Sequence, residues 1–62
     1  MKIQDVKKNL NKPVKYDGSD YILTACIIRK DERNNFVYTA ELMDIKQKNS
    51  VIISRLDDVT ST

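Results

Sequence analysis

The chain predicts a mainly β fold, a small antiparallel barrel of four to five strands behind a short N-terminal helix. Three observations carry this expectation. Apolar residues recur at spacings of three and four before Pro13 and at a spacing of two after it; an Asp-Gly pair lies where two strand patterns meet; and the later strand patterns are joined by short polar connections.

The helix comes first. Ile3, Val6 and Leu10 fall on one face with Lys7, Lys8 and Asn9 between them, and Pro13 ends the pattern because the residue before a proline is pushed out of the helical region. Val14, Lys15 and Tyr16 then lead into Asp17-Gly18, a pair suited to the positive φ values of a type I′ turn. A two-residue loop there pairs Tyr16 with Ser19, Lys15 with Asp20 and Val14 with Tyr21, setting opposite charges across from each other.

The second strand, YILTACIIRK (21–30), is apolar on both faces and interrupted only by Thr24. KDERNN (30–35) breaks the pattern, FVYTAELM (36–43) is a third strand with its even positions apolar, and DIKQKNS (44–50) connects it to VIIS (51–54). Leu56-Asp57-Asp58-Val59 reads as a turn into a short last strand. An open sheet of this length leaves long bare edges, so curling into a barrel is the economical closure. The expected interior is Val14, Tyr21, Leu23, Ala25, Ile27, Phe36, Tyr38, Ala40, Leu42 and Ile53. That assignment leaves Ile22, Cys26 and Ile28 outside, where with Val37, Met43 and Ile52 they form a candidate protein-interaction patch, partly covered by Ile3, Val6 and Leu10 of the helix.

With 62 residues there is material for one domain, 1–62, with the helix in 1–12 and the strands in 13–62. A chain of this size buries only about 60% of the surface its unfolded form exposes, which leaves little to build an active site from. The charged fraction of 32% and apolar fraction of 40%, with one Gly and one Pro, belong to a folding chain and not a disordered one. Cys26 stands alone, so no internal disulfide forms, and a chain without His offers no Cys/His zinc set. Without His, Cys26 also lacks the usual base that activates a thiol, and it reads as a packed, inert residue. Asp31-Glu32 and Asp57-Asp58 read as solvated turn or capping residues. One glycine, already used in a turn, makes no phosphate-cradling loop. The expectation is no enzyme, no cofactor, no metal and no small-molecule substrate.

KIQDVKKNLNK at the N-terminus lacks the apolar run of a signal peptide, and no later run approaches the ~20 residues that span a bilayer, so the expected setting is cytoplasmic with no membrane partner. Net charge is only +2 but uneven. Residues 1–16 hold five lysines against Asp5, whereas residues 17–62 hold six basic and eight acidic groups. Lys7, Lys8, Lys12 and Lys15 are therefore candidate nucleic-acid contacts, although a charge run of this kind is more often a solvated face.

The helix followed by KPVKYDGSDYILTACI, NFVYTAELMDI and VIISRLDDV resembles an SH3-like small barrel, with the helix-first order of Sm-like proteins, over nearly the whole chain. It is also similar to short proteins of bacteria and their mobile elements that have no established activity. The Sm-like resemblance implies RNA binding, but RKDERNN and SRLDD, in the loops where that family binds RNA, contain no Sm-type motif. The proline-peptide groove of SH3 domains needs an aromatic lining, and Tyr16, Tyr21, Phe36 and Tyr38 are the only aromatics. Two readings follow: a protein-interaction or self-association module using the apolar patch or a strand edge, and a nucleic-acid-binding small barrel using the lysine segment. The doubly apolar second strand favours the first.

Overall fold

The N-terminal segment is wound more briefly than its spacing predicts. In a computed structural model that describes residues 1–62, Ile3–Asp5 make a single 3-10 turn and Val6–Asn9 a single α-helical turn, α1. Leu10 leaves the helical region at φ −61°, ψ 132°, and Asn11 takes a left-handed φ of 63°. The chain has thus turned before Pro13, which opens β1 (Pro13–Tyr16).

Asp17 and Gly18 have φ of 50° and 78°, the signature of a type I′ turn, and β2 (Ser19–Lys30) returns at once. Pairing of Val14 with Tyr21, Lys15 with Asp20 and Tyr16 with Ser19 follows the expected register, and Lys15 Nζ lies 3.3 Å from Asp20 Oδ1. A hairpin over 31–35 leads to β3 (Phe36–Asp44), and β4 (Val51–Arg55) runs back beside it. A 3-10 turn, Leu56–Asp58, then delivers β5 (Val59–Ser61) to the far side of β1. The result is one five-stranded antiparallel sheet in the order β4-β3-β2-β1-β5.

The sheet changes face at Thr24. Leu23 pairs with Leu42 but Ala25 pairs with Glu41, so Thr24 is an extra residue in β2, and its hydroxyl donates to the Glu41 carbonyl or carboxylate, each 3.1 Å away. Because side chains alternate with period two, one inserted residue exchanges the two faces of everything beyond it. Before the bulge the odd residues Tyr21 and Leu23 face inward. After it the even ones do, with Cys26 opposite Ala40 and Ile28 opposite Tyr38.

The core gathers Val6, Val14, Leu23, Ala40, Leu42, Leu56 and Val59, with Tyr16, Tyr21, Cys26, Tyr38 and Ile52 packed around it. Four assignments to the interior are thereby corrected. Ala25 and Ile27 lie on the outer face because of the Thr24 bulge, with Ile27 38% exposed. Ile53 faces outward opposite Glu41 and is 57% exposed, while its neighbour Ile52 faces Leu42 and packs against the core. Phe36 is on the inward parity but 59% exposed, since it sits beyond the point where any second layer covers that face.

The helix is corrected as well. Only Val6 is buried, and it enters the interior cluster instead of covering the outer face; Ile3 and Leu10 are each more than a third exposed. The terminal amine donates to the carbonyls of Leu56 and Val59 and fastens the segment beside β5. Overall dimensions of 38 × 21 × 18 Å reflect the β2–β3 hairpin, which extends past the packed end as an arm.

Candidate interaction surfaces

The six residues of the sequence-derived patch divide between the two faces. Ile22, Val37 and Met43 are outward and half-buried; Cys26 and Ile52 point inward and touch the core; Ile28 shares their parity but lies on the arm, 55% exposed. The outer face is instead completed by Ile27, Val51 and Ile53. Ile22, Met43 and Val51 form one row across β2, β3 and β4; Ala25, Glu41 and Ile53 form the next; Ile27, Thr39 and Arg55 the third. This is an apolar surface broken by one acidic and one basic residue, without an overlying helix. Val51 and Ile53 both belong to β4, whose outer edge pairs with no other strand.

The opposite face of the arm is also apolar. Phe36 and Tyr38 stack with centroids 6.3 Å apart, and Lys30 Nζ lies 5.3 Å from the Phe36 centroid, a distance at which ammonium and ring attract. The arm's tip is ordered locally by its own side chains. Asp31 Oδ1 accepts from the backbone N–H groups of Arg33 and Asn35, each at 2.9 Å, and Asn34 supplies the left-handed residue at φ 69°. At the other end of β3, Asp44 Oδ1 accepts from the N–H groups of Lys46 and Gln47 at 2.7 and 3.1 Å. Of the carboxylate pairs singled out in the sequence, Asp31 is a turn cap, and Asp57 lies 3.9 Å from Arg55.

The four candidate lysines do not form one track. Lys8 and Lys12 line an open groove between α1 and β5, joined there by Lys2, which the sequence reading left out, and by Asp5 and Asp57. Lys15 is on β1 in its ion pair with Asp20, and Lys7 does not line the groove. No aromatic ring lines it either, so it offers no stacking platform.

Cys26 is half-buried beside the core, and burial raises its thiol above the ordinary value, which favours the neutral, unreactive form. No three Cys, Asp or Glu side chains converge into a set able to hold a metal ion, and no helix is long and apolar enough to cross a membrane. In comparison with known proteins, the chain matches no family model, no curated protein and no solved structure.

Proposed function

We propose that this chain is a non-enzymatic protein-interaction module, an SH3-like small barrel that binds a protein partner through the outer face of β2–β4. The strand order, which brings the first and last strands together after a 3-10 turn, supports the SH3-like reading. One observation carries the interaction reading: Ile22, Ile27, Met43, Val51 and Ile53 occupy one face of three adjacent strands, ending at a bare edge in β4. Edges of this kind are usually blunted or covered in natural sheets, and an apolar face bordered by Arg55 and Arg29, with Glu41 its one acidic interruption, can serve as a protein interface.

The test is capture from nuclease-treated cell extract by the wild-type chain and by Ile53→Lys and Val51→Lys. Both side chains are more than half exposed, so the variants should remain folded and lose the captured partner. Undiminished capture by both would overturn the outer-face assignment.

The groove holding Lys2, Lys8 and Lys12 favours a second reading, in which the module binds nucleic acid. Three phosphate contacts predict a log-log salt slope of about −2 to −3, abolished by charge reversal at Lys8 and Lys12. Asp5 and Asp57 in the same groove weaken its pull on phosphate, which ranks this reading second.

A further inference from the structure

From the backbone of the arm we infer that the chain forms a two-fold dimer by pairing β2 with β2 of a second copy, in a ladder centred on Ile28. Leu23 turns its backbone groups toward the β1 side: its N–H donates to Lys12 O at 3.1 Å, and its carbonyl accepts from Asn11 N–H at 2.6 Å. Pairing with β1 ends at Ile22, so nothing in the sheet lies beside β2 beyond this point. At the far end Asp31 N–H donates to Asn35 O at 2.9 Å, which turns Asp31 toward the β3 side. Antiparallel strands alternate these directions, so counting back from Asp31 leaves the N–H and C=O groups of Lys30, Ile28 and Cys26 facing the bare edge.

Three residues spaced by two form a self-complementary set. When two such edges meet antiparallel about a two-fold axis, Ile28 pairs with Ile28 of the second copy, and Cys26 with Lys30 in both directions. Every free donor and acceptor of the set then finds a partner. A shift of two residues in either direction leaves one member at each end without its counterpart.

The side chains agree with this register. Ile28 meets Ile28 on the face that carries Phe36 and Tyr38, so two stacked aromatic pairs and two isoleucines form one apolar stripe across the joint. Arg29 stands opposite Ile27 and Lys30 opposite Cys26, so no two like charges face each other. Glu32 at the tip comes opposite Thr24, and the ladder ends there, because Asn11 and Lys12 of the second copy already bond the edge beside Leu23. The contact is isologous and closes on itself, which avoids open-ended assembly along this edge. It goes beyond the outer-face reading and uses a different edge of the sheet.

Sedimentation of the full chain from about 5 to 500 μM tests it, a range that brackets weak edge-strand association. A monomer–dimer equilibrium is expected. Ile28→Lys sets two ammonium groups against each other and should weaken the dimer by about tenfold or more, whereas Ile53→Lys should leave it unchanged. Paired residues in such a ladder have Cα atoms about 5.5 Å apart, within disulfide range. In a Cys26→Ser background, Ile28→Cys should therefore oxidise to a covalent dimer and Ile53→Cys should not. A chain that stays monomeric at 500 μM, a dimer indifferent to Ile28→Lys, or cross-linking that prefers position 53 would each overturn the inference. Loss of extract capture by Ile53→Lys with the dimer intact would leave the two surfaces independently assigned.

Discussion

The packed end of the sheet and its projecting arm are made from the same kinds of residue, yet one is dry and the other wet. At the packed end Val14, Leu23, Leu42, Leu56 and Val59 are at most 1% exposed; on the arm Ile27, Ile28 and Phe36 are 38 to 59% exposed. The difference is in what lies opposite. Near the packed end β1, β5, the 3-10 turn and Val6 bring a second layer over the inner face of β2 and β3. The arm runs past that layer, so an inward-pointing Phe36 has no interior to enter. Parity places a side chain on a face, and only a covering element turns that face into a core.

Side-chain truncation should separate the packed end from the arm most strongly. Leu23→Ala or Leu42→Ala removes a fully buried side chain and should cost about 2 to 5 kcal/mol. A domain of this size has only about 3 to 9 kcal/mol in total, so either variant approaches unfolding. Phe36→Ala or Ile53→Ala should cost under about 1 kcal/mol, because each side chain is already more than half in water. Denaturant titration of the four variants checks the contrast. Equal losses at both ends would mean that the arm is covered in the isolated chain.

The packed end was legible in the sequence because its signals are local. Asp17-Gly18 demands positive φ at two successive residues, and the opposition of Lys15 to Asp20 follows from a two-residue loop, so register could be counted from the turn. The arm was not, because its faces depend on one inserted residue. Thr24 is an ordinary strand residue and carries no mark of a bulge; because apolar residues occupy both odd and even positions on either side of it, the change of the inward set from odd to even leaves no trace in the sequence. VIIS is ambiguous for the same reason, since adjacent isoleucines fit either parity, and pairing with β3 decides for Ile52. The helix was overextended because three apolar residues at helical spacing say nothing about how soon the chain must turn to reach Pro13.

The boundary between packed end and arm can be probed at Thr24. Thr24→Val keeps the shape and strand preference but removes a hydroxyl within reach of both Glu41 oxygens, and should cost about 1 kcal/mol. The useful readout is local. Amide exchange on the arm should rise more than at Val14 and Val59, because the bulge is where the arm joins the packed layer. Uniform acceleration across the sheet would show that Thr24 stabilises the whole domain and not the junction.

The smallest effect is chemical and tests which region claims Cys26, two residues past the bulge. The sequence places it, packed and inert, in the outer patch; in the structure it packs inward beside Ala40 and the core, and burial holds its pKa up. A raised pKa keeps the fraction of thiolate low at neutral pH, so alkylation of the folded chain at pH 7.5 should be several-fold slower than in denaturant. The sign for stability follows from linkage: burial favours the neutral thiol, so its contribution is complete below the unfolded-state pKa and is lost as pH rises through the folded one. Thr24→Val should speed alkylation if the arm loosens, whereas Ile53→Lys, on the other face, should not. Alkylation in the native chain as fast as in denaturant would place Cys26 with the arm's solvent-facing residues and move the boundary of the core back to Leu23.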